Sequence, residues 1–422
     1  MALFDPTALN PGVARREVFG WAMYDFANSG YTTVVLTAVF NAYFVGVVAG
    51  GADWGTLAWT LTLGLSNALV MLATPLLGAW ADGRAAKKAV LMATTLGCVA
   101  ATAALAGVGG GDLWLAVAAI VISNFCYAVG EQMTSAFLPE LARREALGRV
   151  SGWGWSLGYC GGMLTLGLSL GYVIWAQGQG LPATHFVPVT MLITSAVYAL
   201  ASVATFVLLK ERAEPQPVAV GSATGEALRR LKRTWHEARR YEDFRWLLAC
   251  AVAYQAGISV VIALAAIYAE EVLGFKQTQT MMLIFLVNIA SAIGAFSFGY
   301  WQDRIGHKRA LAFTLWGWVL MTVLAVAATT PGLFWVAAVL AGLFAPADRL
   351  AEFYGLWTFA VRASAIVGPI TYGLVTWASG GNHRLAIAST GLFFLAGLVL
   401  LRRIDVARGQ TAAIAALGMP KK

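Results

Sequence analysis

Followed along its apolar and polar positions, the chain resolves into twelve apolar segments, at about 19–48, 56–80, 88–109, 113–138, 149–175, 187–209, 245–271, 277–301, 308–329, 333–345, 354–379 and 384–404. All but the tenth reach the roughly 20 residues that a helix needs to cross a hydrocarbon core. None keeps an alternating, two-residue period. In lipid each backbone amide must be satisfied within its own segment or in a closed barrel, so the pattern predicts spanning helices and excludes a barrel. The polar stretch 210–244 separates the first six segments from the last six. Within it Leu228, Leu231, Trp235, Ala238 and Tyr241 recur every three or four positions among Arg229, Arg230, Lys232, Arg233, Arg239 and Arg240. That spacing predicts an amphipathic basic helix over 227–244, suited to lying on a membrane surface and equally compatible with a solvated linker helix.

A repeat organises the twelve segments. GAWADGRAAKK, Gly78 to Lys88, returns as GYWQDRIGHKR, Gly299 to Arg309, with Gly, Asp and the terminal cations displaced by the same 221 residues. The expected units are therefore an N-terminal six-helix bundle (1–209), a linker (210–244) and a C-terminal six-helix bundle with a short tail (245–422). In the motif, Gly78 and Gly299 are expected to allow close helix approach. Asp82 and Asp303 can accept from neighbouring cations and from amides at a facing helix N-terminus. Lys87, Lys88, Arg304, Lys308 and Arg309 either take part in this contact or simply mark topology. Trp114 maps onto Trp335 with the same offset, but Gly152 maps onto Gly355 with an offset of only 203, so about 18 residues are missing around helix ten. Helix ten is expected to be short, at fewer than about 18 residues, with Pro346–Leu350 drawn up to the inner membrane boundary and local bilayer thinning or a water-filled gap beside it.

Composition agrees: 59% of residues are hydrophobic, only 12% are charged, and mean hydropathy is +0.70, against roughly 25% charged in soluble domains. A net charge of +8 is of the kind that nucleic-acid binders carry, but position argues otherwise. With the N-terminus inside, all of the 29 Lys and Arg except Lys276, Arg362 and Arg384 fall on inner loops, the linker or the tail. This is the positive-inside pattern, so the charge reports orientation and contact with anionic lipid. The expectation is a multi-pass inner-membrane protein, monomeric, with both termini cytoplasmic and no cleaved signal. Cys98, Cys126, Cys160 and Cys250 lie within apolar segments without metal spacing and are expected to pack as small hydrophobes. No HExxH, GxSxG or Ser-His-Asp set is present, and His185, His236, His307 and His383 are expected in loops or the linker, so no enzyme, metal or cofactor is expected.

Polar residues inside the spans carry the candidate chemistry. Helix one contains YDFANSGYTT, and ionisable groups at such depth usually face a cavity and mark a substrate or proton route. Asp25 lies nine residues beyond Arg16, about 13 Å at helical rise. Glu131 lies eight residues from Pro139, about 12 Å deep, and Arg362 is at comparable depth on helix eleven. Arg362 is expected to pair with Asp25 or Glu131, which a structural ion-pair network would satisfy equally well. Tyr24, Asn28 and Tyr31 share one helical stripe, as do Asn124, Tyr127 and Glu131. Tyr254 and Gln255 occupy a corresponding depth on helix seven. The glycines of SGWGWSLGYCGG, Ser151–Gly162, read as tight helix packing rather than a phosphate loop.

Twelve helices in two repeats, with the GxxxD-plus-cations loop, resemble the major facilitator superfamily. WAMYDFANSGY, AFLPELARREALGRVSGWGWSLGYCGG (Ala136–Gly162) and EFYGLWTFAVRASAIVGP (Glu352–Pro369) are similar to the autophagy-linked vacuolar amino-acid effluxers and their bacterial relatives. The resemblance implies an all-α major facilitator fold and secondary transport of a small polar solute such as a neutral amino acid, with Asp25 and Arg362 matching that family's helix-one acid and helix-eleven cation. Alternating access is the expected mechanism, with protons as the coupling ion through Asp25 or Glu131. A transporter-like sensor or scaffold is the alternative that the short tenth helix favours.

Overall fold

The computed structural model describes residues 4–213, 242–344 and 354–405. Within them lie twelve helices: α1 Arg15–Val48, α2 Gly55–Arg84, α3 Lys87–Ala104, α4 Leu113–Leu141, α5 Leu147–Gly178, α6 Ala183–Leu208, α7 Glu242–Leu273, α8 Gln277–Ile305, α9 His307–Ala327, α10 Pro331–Leu343, α11 Tyr354–Ala378 and α12 His383–Arg402. Eleven are long and apolar enough to cross a membrane. Large apolar side chains stand on the outside of the bundle, with Trp114 82%, Leu200 75% and Leu72 69% exposed. So large an apolar exterior fits hydrocarbon and not water, and the chain is a multi-pass membrane protein. The amphipathic helix expected over 227–244 falls outside the described residues except for 242–244, whose first residue opens α7.

Helix ten is short. It spans 13 residues, about 20 Å at helical rise, and starts and stops two residues earlier than expected. Phe334 stacks on Tyr268 at 5.4 Å to fix its upper part. Its end is seated between α8 and α9, where Trp318 Nε1 donates to Phe344 O at 2.9 Å and a Cβ on Gly342 would come within 2.7 Å of Val287 O. Residues Pro346–Leu350 lie outside the described residues.

Helices α1–α6 and α7–α12 pack mainly among themselves. The tightest seam of the first set joins α1 to α5. The glycines of α5 make it: a Cβ on Gly161 would overlap Phe26 O, one on Gly158 would lie 2.9 Å from Ser29 Oγ, and one on Gly162 3.0 Å from Thr33 Oγ1. Only backbones without side chains between them approach so closely. Across the two sets, α2 packs on α11 and α5 on α8.

The cations Arg84, Lys87, Arg143, Arg144, Lys210, Arg304 and Arg402 cluster at the ends where α2, α4, α6, α8 and α12 finish, here called the basic face; the opposite end is the far face. At the basic face the N-terminal segment is strapped to the end of α4. Asn10 N donates to Leu141 O at 3.0 Å and Asn10 Nδ2 to Pro139 O at 2.9 Å, covering carbonyls that a helix terminus leaves open, and Arg143 N donates back to Ala8 O at 3.0 Å. Some expectations about packing are corrected. Cys160 is exposed rather than packed, because its position on α5 faces away from the α1 seam that Gly161 and Gly162 occupy. His383 is the first residue of α12, buried with Nδ1 3.0 Å from Tyr372 Oη, rather than a loop residue. His185 and His307 likewise belong to helices, α6 and α9, while His236 lies outside the described residues.

Candidate functional site

At the middle of the bundle, α1, α2, α4 and α11 bring their polar positions together. Arg362 on α11 crosses to the first half, with Nη2 3.8 Å from Glu131 Oε2 on α4 and Nη1 donating to Asn67 Oδ1 on α2 at 3.4 Å. Asn67 presents that oxygen because its amide nitrogen is held by Leu63 O at 2.9 Å, one turn earlier on the same helix. The Glu131 side chain is 39% exposed and the Arg362 side chain 18%, so the pair is only partly withdrawn from solvent. A pair this exposed is screened by solvent and contributes little to stability by itself.

Asp25 sits differently. It is half-buried and turned toward α5, where a side chain on Gly154 would overlap its Oδ2 and come within 2.9 Å of the Trp21 ring. It pairs with no cation among the described residues, the Arg362 ion pair going to Glu131. Next along the stripe, Asn28 is 3% exposed and its Nδ2 has no hydrogen-bond partner among the described residues. An orphaned donor at that depth is costly.

The remaining stripe residues are more structural than the pattern suggested. Tyr24 is fully buried with its hydroxyl 3.1 Å from Tyr198 Oη, and Gly130 leaves the space its ring fills. Tyr31 Oη shares a hydrogen with Ser123 Oγ at 2.8 Å, and its ring lies 5.3 Å from that of Tyr127. Tyr127 in turn places its hydroxyl beside the Glu131 carboxylate. Asn124 Nδ2 donates to Ser66 Oγ at 3.0 Å, joining α4 to α2. On α7, Tyr254 is 2% exposed and packs where Gly397 gives room, while Gln255 is buried at 8%. Asp25, Asn28, Tyr127, Glu131 and Arg362 thus form a polar level, with Tyr24, Tyr31 and Asn124 bracing it. Sequence reasoning missed Asn67, although a lone Asn in an apolar span was the available signal.

The repeated loop is also rearranged. Lys87 Nζ reaches Asp82 Oδ1 at 3.5 Å and Glu140 Oε1 at 2.9 Å. The open amides at the α3 N-terminus, however, are taken by Glu211, which accepts from Lys87 N at 3.0 Å and Lys88 N at 2.8 Å. An acid capping a helix N-terminus was anticipated, but it comes from the end of α6, not from Asp82. Lys88 Nζ donates to Leu209 O at 2.6 Å. In the second half it is Lys308 Nζ that donates to Ile404 O, at 2.5 Å. The reason is a register slip: α3 begins two residues after Ala85, whereas α9 begins directly after Gly306, so Lys88 and Lys308 both stand second in their helices although the sequence repeat pairs Lys87 with Lys308. Gly306 has φ +83, which favours glycine and allows that tighter turn. Gly78 does not serve close approach, since a Cβ there would meet nothing within 4 Å. Arg304 and Arg309 are exposed, and the side-chain positions of Gly299 and Asp303 lie outside the described residues.

The family described as "Vacuole effluxer Atg22 like" matches residues 56–344 and 327–414. The chain belongs to that family. The two matched stretches change over within 327–344, at α10, where the repeat comes up short. The helix-one motif lies ahead of the matched residues. An MFS-type transporter of Bacillus subtilis (strain 168), YxiO, is 24% identical over 405 residues, covering 90% of this chain and 93% of YxiO. Among solved structures, a D-xylose-proton symporter superposes with a TM-score of 0.66 at 12% identity, covering 92% of this chain and 98% of the symporter. A point mutant of the nucleoside transporter NupG gives 0.63 at 14%, covering 93% and 98%. A bacterial homolog of the lysosomal transporter Spinster, in an inward-facing and unoccupied conformation, gives 0.62 at 12%, covering 94% and 96%. The fold of this Atg22-like chain is the major facilitator fold, and the protein is an MFS-type transporter rather than an enzyme.

Proposed function

We propose that the chain is a proton-coupled secondary transporter for a small polar solute, such as a neutral amino acid, that works by alternating access between its two six-helix halves. The observation that carries this reading is the Arg362 contact: one cation from the second half holds Glu131 and Asn67 of the first half, at the level where Asp25 pairs with no cation among the described residues. A cross-half ion pair at mid-depth is broken and remade as the halves rock, and an intramembrane acid without a partner is suited to exchanging a proton with the cavity. Asp25 is the proton carrier in this scheme, and the Glu131–Arg362 pair is the gate that senses it. The positive-inside rule supports placing the basic face in the cytoplasm of a bacterial inner membrane, with both termini on that side. The protein acts as a monomer, in contact with anionic lipid and not with nucleic acid.

The test is uptake into proteoliposomes with an imposed proton gradient, using a panel of neutral amino acids. Parent protein accumulates a solute uphill; Asp25→Asn loses uphill accumulation yet keeps solute exchange. Undiminished proton-driven accumulation by Asp25→Asn would transfer the coupling role to Glu131. The short α10 favours a second reading, a transport-inactive sensor or scaffold, for which neither accumulation nor exchange occurs with any solute in the panel.

A further inference from the structure

We infer that Gln277 and Asn41 form a far-face latch that holds the two halves together there and sets how readily the far side opens. The inference rests on the alternating-access reading above. Its origin is a break in α1. Val39 leaves helical geometry (φ −127, ψ −62), and the turns on either side are wide, with Val39 N bonding to Val34 O at 2.9 Å and Ala49 N to Phe44 O at 2.8 Å. Wide turns of this kind concentrate at functional sites.

Asn41, fully buried, causes and exploits the break. Its Oδ1 takes the amide of Ala42 at 2.9 Å, which would otherwise have bonded to Ala38 O. Its Nδ2 covers Thr37 O at 3.1 Å and crosses to Ala263 O of α7, also at 3.1 Å. The released Ala38 carbonyl accepts from Gln277 Nε2 of α8 at 2.8 Å. Beside it, Thr278 Oγ1 donates to Gln177 Oε1 of α5. One half therefore breaks its own helix and the other half repairs it. Ala38 is fully buried and its carbonyl needs a partner, which Gln277 supplies from the other half among the described residues. With that face open, water can reach the carbonyl. Removing the Gln277 amide therefore destabilises the closed form selectively.

The experiment uses the full chain in nanodiscs, free cysteines replaced, with spin labels at the exposed far-face positions Gln179→Cys and Thr329→Cys, one in each half. Electron-electron resonance then reads the distance distribution across that face. Gln277→Leu is expected to raise the ratio of long to short distances by about fivefold or more, the range for one buried group left unpaired. Adding Thr278→Val raises it further, and Gln279→Ala, whose side chain only caps Lys276 N within its own helix, leaves it unchanged. If parent protein shows both distances and Gln277→Leu leaves their ratio unaltered, the latch is overturned while alternating access stands. If no longer distance arises in parent, single or double variant, both readings fall.

Discussion

The two halves carry the same loop motif at the same spacing, yet they hold themselves together by different means. In the first half carboxylates bind the basic face: Glu211 covers the α3 amides, Glu140 and Asp82 meet Lys87, and buried Glu17 pairs with Arg212 at 2.5 Å. In the second half Lys308 reaches Ile404 O as Lys88 reaches Leu209 O, and the carboxylate described there is Asp243 at the start of α7, which accepts from Asp405 N beyond the end of α12 at 2.8 Å. The central polar level is equally lopsided. Helix α4 runs 29 residues and carries Asn124, Tyr127 and Glu131, whereas α10 runs 13 and ends before the corresponding positions. The second half contributes single long side chains, Arg362 at the middle and Gln277 at the far face. Repetition of sequence thus preserved topology, while the polar level drew most of its side chains from one copy and the contacts across the halves came from both, Asn41 from the first and Arg362 and Gln277 from the second.

The largest effect should come from cutting the reach of the second half. Arg362→Ala or Glu131→Gln is expected to lower transport in proteoliposomes by about 10-fold or more, because the charge-assisted contact that joins the two halves at this level, worth about 1.5–3 kcal/mol, is lost. Exchanging the two (Arg362→Glu with Glu131→Arg) should recover part of the rate. Near-normal transport by either single variant would mean that the second half is not needed at this level.

Seam glycines provide a comparison that both halves should pass. Gly161 meets Phe26 O of α1, and Gly368 of α11 meets Ala256 O of α7, each too closely for a Cβ. Gly161→Val and Gly368→Val should each destabilise the detergent-solubilised protein by about 1–3 kcal/mol, read as a fall in Tm. A fall for only one would show that the halves tolerate repacking unequally.

Glu211→Gln should separate the halves at the basic face. Losing the charged cap on α3 is expected to cost about 1 kcal/mol, seen as a modest drop in Tm. Lys308→Met, which removes only a bond to a carbonyl, should cost less, and the reverse order would contradict the contrast drawn here. Smallest of all is Gly78→Ala. With open space around that position and alanine the better helix former, stability should hold or rise by up to about 1 kcal/mol.

The twelve segments, the two-fold repeat, the short tenth helix and the glycine seam on α5 were legible because each follows from local chemistry: length against membrane thickness, charge on loops, and small residues where backbones meet. The site was legible in outline only. Depth along a helix put Asp25, Glu131 and Arg362 at one level, since rise per residue is constant. It could not say that Arg362 would turn to Glu131 and Asn67, nor that Tyr24 would be spent on Tyr198.

By itself the sequence determined that this chain is a helical membrane protein in two unequal copies, because hydrophobic length and the cost of an unpaired amide in lipid leave no other solution. Only the tertiary structure decided which polar side chains meet. It assigned the α3 cap to Glu211 instead of Asp82, shifted Lys308 into the role of Lys88 through one missing turn residue, and matched the Ala38 carbonyl with Gln277 from the other half. Those pairings join residues from 96 to 239 positions apart. They depend on helix rotation and on where each helix starts, quantities that no local pattern encodes.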